Sequence, residues 1–172
     1  MVWWLWLCAC LDPEFARGLD HTPILAGERC ADDREEEVAC VLDGDTIVLG
    51  NCETGENVRM LGVDADEIAH NDSEVAECWG DEAAAWTTDK LLGETVRLEF
   101  DKECEDKYQR TLAYVWLPEA NDGEDELVNL SIILQGQAYF YEEFGDIRWH
   151  AAMESAQSNA RARGQGFWSE CL

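Results

Sequence analysis

Between residues 38 and 117 the apolar side chains come in short runs, each cut off by turn residues, and this punctuation limits the fold more than any other feature. Residues 38–42 and 45–49 are rich in Val, Ile and Leu and flank Gly44. The turn ETGE at 53–56 separates the second run from a third at 58–63. Residues 95–100 alternate Val96, Leu98 and Phe100, and 112–117 form a fifth run. Short β-branched runs bounded by Gly, Asn and Asp are strand signals. Three segments instead carry helical spacing. Residues 81–92 are good helix formers and end at Gly93. Leu127, Leu130, Ile133 and Leu134 precede Gly136. Trp149, Ala152, Met153, Ala156 and Ala160 make one helical face. Five strands with helices between and after them predict an α+β domain, a small barrel packed by three helices. A chain of 172 residues suits one such domain.

The charge excludes some partners and complicates others. Lys and Arg number 12 against 38 Asp and Glu, a formal net charge of -26. A binder of polyanions ordinarily shows a basic patch. A carboxylate-rich skin instead keeps a protein hydrated in concentrated salt. The eight cysteines, Cys8, Cys10, Cys30, Cys40, Cys52, Cys78, Cys104 and Cys171, form neither a CxxC pair nor a His/Cys zinc spacing. That argues against zinc and for disulfides in an oxidising compartment. The run VWWLWLCAC at 2–10 is too short to span a bilayer. It fits the apolar part of a secretion signal without the usual positive start, and LCAC also fits a bacterial lipobox that would lipidate Cys10. Residues 1–37 are read as leader and linker, and 38–172 as the domain. The expected location is extracytoplasmic, secreted or lipid-anchored.

Three segments carry chemistry. VLDGDTI at 41–47 holds Asp45, VRMLGVDADE at 58–67 holds Arg59, Asp64, Ala65 and Glu67, and DKYQRTLAY at 106–114 holds Tyr108 and Arg110. Taken singly, each is more often a turn, a solvated loop or a surface cation. Together they place carboxylates and two arginines at strand ends. Asp45 and Asp64, with a backbone carbonyl and waters, offer the oxygen ligands that a hard cation such as Ca²⁺ prefers. The planar fork of arginine suits phosphate.

The order DGDT, R-x-L-G-x-D-A-x-E, D-x-Y-x-R-x-L-A-Y resembles the staphylococcal nuclease (thermonuclease) family. ECWGDEA at 77–83, VNL at 128–130 with Gly136, and FWSE at 167–170 follow in the same order and extend the likeness over nearly all of 38–170. The resemblance implies a five-stranded barrel of the oligonucleotide/oligosaccharide-binding type with three helices. It implies Ca²⁺-dependent cleavage of DNA and RNA at the 5′-oxygen, leaving 3′-phosphate ends. Asp45, Asp64 and the Ala65 carbonyl would be metal ligands, and Glu67 the general base. Arg59 and Arg110 would stabilise the transition state, and Tyr108 would seat the phosphate. Tyr139 or Tyr141 would stack on a base. Nucleic acid is then the substrate partner, and a membrane is reached only through a lipid at Cys10. Two rival readings are a non-catalytic binding module of the same fold and an acidic calcium-binding surface protein. Degenerate copies should lack some of Arg59, Glu67 and Arg110, and this chain has all three.

Departures from the family pattern carry expectations too. Asp66 stands where a proline is usual, which would add a carboxylate beside the metal. Gln109 stands where glycine is usual before Arg110, at the turn that aims it. For the disulfides, Cys78–Cys104 is the first expected pairing, since it would tether the arginine loop. Cys40–Cys52, on neighbouring strands, is the second.

Overall fold

The structure, a computed structural model, describes residues 29–69, 75–121 and 123–171. In chain order its strands are β1 (Arg34–Val41), β2 (Thr46–Leu49), β3 (Glu56–Met60), β4 (Val63–Asp64), β5 (Thr95–Glu99), β6 (Thr111–Asn121), β7 (Glu124–Leu127) and β8 (Tyr139–Phe140). The helices are α1 (Gly80–Leu91), α2 (Val128–Leu134), α3 (His150–Arg163) and the single turn α4 (Phe167–Glu170). The meander β1–β2–β3 is antiparallel, β5 pairs with β1, and β6 pairs with β5. A parallel pairing of β3 with β6 closes the ring into a five-stranded barrel of the expected type. Closure removes the free edges that an open sheet would expose. β7 extends β6, and β4 with β8 makes a small separate ribbon.

Each predicted strand run has its counterpart. Val38, Ile47, Val58, Leu98 and Val115 share one face of the barrel wall and are buried, and Leu112 is buried on the other face, beside Arg59. One boundary moves. β1 starts at Arg34 and pairs Arg34–Glu37 with Leu98–Thr95, so these residues belong to the sheet and not to a linker. Their side chains are charged, which hid the strand from a reading based on apolar alternation.

Helix α1 buries Ala83, Thr87 and Leu91, spaced four apart, while Asp81 and Glu82 in its first turn and Lys90 in its last suit the helix dipole. Gly93, at φ +80°, lets the chain turn out of it. Helix α2 is fastened by Asn129, which is fully buried. Its amide accepts from the Val115 N–H at 2.7 Å and donates to the Leu61 and Ala113 carbonyls. Two further buried acids, Glu99 and Asp101, accept from Trp116 Nε1 and the Tyr114 hydroxyl, each at 2.7 Å. Arg148 donates to both through its side chain and its amide. These carboxylates are satisfied structural groups.

Among the described residues three disulfides form: Cys30–Cys104, Cys40–Cys52 and Cys78–Cys171, with Cα separations of 5.6, 5.5 and 6.0 Å. The expected Cys40–Cys52 pair is among them. The expected Cys78–Cys104 pair is not. Cys104 instead meets the N-terminal arm, where the Cys30 amide donates to the Asp101 carbonyl at 2.8 Å, and Cys78 meets the C-terminus. Both partners came from segments that carry no strand or helix signal. The Cys30–Cys104 and Cys78–Cys171 bridges close sequence separations of 74 and 93 residues, and each contributes about 2–4 kcal/mol by restricting the unfolded chain.

Candidate active site

The DGDT turn joins β1 to β2. Asp43, buried, accepts the Asp45 amide at 3.0 Å and so shapes the turn. Thr87 on α1 donates its hydroxyl to the Gly44 carbonyl at 2.6 Å. Gly44 itself must be small. A Cβ there would lie 2.6 Å from the Ala65 Cβ and 2.8 Å from the Ala83 Cβ. Three small residues thus let helix α1 and the β4 exit close on the turn. Asp43 and Thr87 were not among the sequence candidates. The doubled aspartate of DGDT was the available signal for the first, and nothing local marks the second.

Asp45 points inward and is 4% exposed. One carboxylate oxygen accepts the Thr46 hydroxyl at 2.9 Å and the other the Ala65 amide at 2.8 Å. Arg59 on β3 reaches the same oxygen with Nη1, and its Nη2 donates to Asp64 Oδ1 at 2.8 Å. One guanidinium therefore spans both carboxylates expected to hold a metal, and Ala65 follows Asp64 directly. Burial pushes the Asp45 pKa up, Arg59 pulls it down and Asp43 raises it further, leaving it at about 7.

The donor chemistry here suits a hard cation. It comprises two carboxylates within reach of one guanidinium. Among the described residues no group of three or more His, Cys, Asp or Glu side chains is placed to hold a metal ion. Asp66 does not join Asp45 and Asp64. Its carboxylate accepts the Trp79 amide at 3.0 Å at the start of α1, which corrects the expectation of an extra carboxylate by the metal. An acidic side chain at a helix N-terminus is favourable in its own right.

Glu67 is exposed, just past β4. Its amide donates to Glu77 Oε2 at 3.0 Å, and its carbonyl accepts the Glu77 amide at 2.9 Å. Gly80 is again forced by proximity, because a Cβ there would lie 2.3 Å from the Glu67 carbonyl oxygen.

Arg110 immediately precedes β6, two residues before Leu112, which pairs with Arg59 across the β3–β6 seam. Its carboxylate partner is Asp106, bound by Nε at 2.7 Å, and Asp106 also accepts the Arg110 and Tyr108 amides. Burial pushes the Asp106 pKa up, but these hydrogen bonds and the Arg110 charge outweigh it, so the group sits below the ordinary carboxylate value. Asp106 is thus a positioning residue that sequence reasoning quoted without giving it a role. Tyr108 is 66% exposed, and the Arg110 guanidinium lies 5.4 Å from its ring centre.

Gln109 adopts φ +65° in this turn, the left-handed conformation that favours glycine. Gln109→Gly should therefore stabilise the fold by about 0.5–1 kcal/mol, seen as a higher Tm with turnover unchanged. A lower Tm would show that the Gln side chain contributes more than its backbone costs.

Tyr139 pairs with Asp64 across the β4–β8 ribbon, and its ring lies 4.1 Å from Phe167 and 5.6 Å from Trp168, centre to centre. Tyr141 donates its hydroxyl to Glu143 at 2.7 Å, and its amide donates to the Gly62 carbonyl. Both tyrosines thus stand on the Asp64 side of the barrel. The leader residue Cys10 lies outside the described residues.

Comparison with known proteins agrees with this arrangement. The profile described as "Staphylococcal nuclease homologue" matches residues 57–170. The chain is 35% identical to the thermonuclease of Staphylococcus hyicus over 146 residues, covering 84% of this chain and 81% of that protein. It is 36% identical to the thermonuclease of Staphylococcus intermedius over 130 residues, 74% and 72% of the two chains. An uncharacterized endonuclease of Haemophilus influenzae is 30% identical over 77% of this chain and 65% of its own length. By profile, identity and a barrel of the expected type, this chain belongs to the staphylococcal nuclease family.

Proposed function

We propose that this protein is a Ca²⁺-dependent nuclease that hydrolyses phosphodiester bonds of DNA, RNA or both and leaves 3′-phosphate ends. The observation that carries the reading is the convergence of Asp45, Asp64 and Arg59 beside Ala65, two residues before Glu67 in the chain. Family membership supports nuclease activity as such. Asp45, Asp64 and the Ala65 carbonyl would hold the cation, which supplies charge stabilisation for the phosphoryl oxygens. Glu67 takes the proton from the attacking water. It is a weak base, so orientation of that water shares the work. Arg59 and Arg110 hydrogen-bond the phosphoryl oxygens, most strongly as negative charge builds on them. Arg110 is too basic to surrender a proton readily, so it stabilises the leaving oxygen by hydrogen bonding. Tyr108, exposed beside Arg110, seats the phosphate. Tyr139, whose ring lies against Phe167 and Trp168, or Tyr141, whose ring lies against Phe144, would stack on a base. Three disulfides favour an extracytoplasmic location.

The 3′-phosphate claim is tested on a synthetic oligonucleotide. Its products should be extended by a DNA polymerase only after phosphatase treatment. Direct extension would place the cleavage at the other ester oxygen.

The cation should also stabilise the fold, and in a pH-dependent way. In chelator, the raised Asp45 pKa favours the folded state at low pH, and that contribution is lost as pH rises through about 7. Ca²⁺ requires the carboxylate and so has the opposite trend. The gain in Tm on adding Ca²⁺ should therefore grow between pH 6 and pH 8. A gain independent of pH would remove Asp45 from the ligand set.

A further inference from the structure

We propose that Glu77 and the Cys78–Cys171 disulfide are a positioning device for Glu67, fixing the residue that activates water to the folded core of the domain. The inference rests on the assignment of Glu67 as general base. Glu67 is exposed and lies outside the barrel strands. The chain leaves at Glu67 and returns at Glu77, and those two residues grip each other twice. The Glu67 amide donates to the Glu77 carboxylate, and the Glu77 amide donates to the Glu67 carbonyl. Asp66, next in line, accepts the Trp79 amide. Cys78 sits between these two contacts. Its partner Cys171 follows α4, where Phe167 is buried and its amide donates to the Gly136 carbonyl at 3.0 Å. The Trp79 indole adds a bond to Gln137 at 2.8 Å, again next to Gly136. A covalent path therefore runs from the buried Phe167 through Cys171 and Cys78 to the residues that hold the Glu67 backbone. Catalytic groups lose rate steeply when misplaced by about 1 Å, whereas binding of the phosphate depends on Arg59 and Arg110, which this path does not touch.

The test compares Cys78→Ser/Cys171→Ser, Glu77→Ala, Glu77→Gln and Glu67→Gln on the full chain with saturating Ca²⁺, well below each Tm. Cys40→Ser/Cys52→Ser is the control for loss of a bridge elsewhere. The cysteine pair variant and Glu77→Ala should each lower kcat about 10–100-fold with KM changed less than about threefold. Glu77→Gln keeps an oxygen acceptor for the Glu67 amide and should recover most of the rate. The control should stay within about twofold of the parent. Placed on a Glu67→Gln background, neither Glu77→Ala nor the Cys78/Cys171 change should cost anything more, because a positioning residue has no effect once its target is gone. Should the cysteine variant fail to fold, Glu77→Ala and its Gln rescue decide alone. Normal kcat in Glu77→Ala, equal loss in the control, or full additivity with Glu67→Gln would overturn the proposal. Full activity in Glu67→Gln itself would overturn the base assignment instead, so the two failures are separable.

Discussion

Glu67→Gln should lower turnover by about 10²–10⁴-fold, and Arg59→Ala and Arg110→Ala by at least about 10²-fold each. Their costs to the fold should differ, and the geometry says how. Glu67 is exposed, so its amide replacement should leave Tm nearly unchanged. Arg110 is partly exposed and pairs with Asp106, and its loss should cost little. Arg59 is 7% exposed and is clamped to Asp45, which is itself buried. Removing one partner of a buried pair typically costs about 3–5 kcal/mol, a cost that proton uptake by Asp45 lessens as pH falls, since its pKa is already raised to about 7 beside Arg59. That loss should appear in chelator and shrink when Ca²⁺ takes over the stranded carboxylates. Arg59→Ala should also bind Ca²⁺ more tightly than the parent, because arginine and cation share the same two acids. Calorimetric titration of Ca²⁺ into parent and variant measures this. Near-normal turnover in all three variants would sink the mechanism.

Activity should rise with salt from low ionic strength, by about tenfold or more in kcat/KM, against the usual behaviour of nucleic-acid enzymes. Those enzymes lose affinity in salt because their cations release counterions from phosphate. Here a body of formal charge -26 meets a polyanion. Much of its scarce positive charge is already engaged by its own acids. Arg34 pairs with Glu36 and Glu56, Arg97 with Asp33 and Asp125, and Lys90 with Glu126. Long-range repulsion is screened first, since the Debye length falls from about 10 Å at 0.1 M to about 3 Å at 1 M salt. Contacts at Arg59 are short and buried, so they are screened less. Crowded surface carboxylates also repel one another at low salt, so Tm should rise in parallel. Initial rates on DNA against NaCl at saturating Ca²⁺ measure the effect. A monotonic fall from the lowest salt would show that local phosphate contacts dominate.

Much of the barrel was legible because its strands alternate or cluster apolar residues between glycine turns, as at Gly44 and around Val96 and Leu98. Arg34–Glu37 was not, because a strand held at its edge by backbone pairing can carry charge on every side chain. The motifs placed Asp45, Asp64, Ala65 and Arg59 in sequence, and the fold brings them into contact. What sequence could not show is direction. Asp66 follows Asp64 by two, yet its side chain turns to the Trp79 amide. Likewise, Cys104 lies in the loop that carries Arg110, but its bond goes to an arm that shows no periodicity. Long-range partners such as Cys30, Cys171 and Thr87 depend on how distant segments close in space, which spacing along the chain does not encode.

The most direct test of the central claim is digestion of supercoiled plasmid by the parent protein and by Glu67→Gln, each with Ca²⁺ and with EGTA. The account predicts nicking and linearisation only by the parent with Ca²⁺, with a loss of about 10² or more in the other three reactions. Equal cleavage with and without EGTA, or by Glu67→Gln at the parent rate, would contradict it.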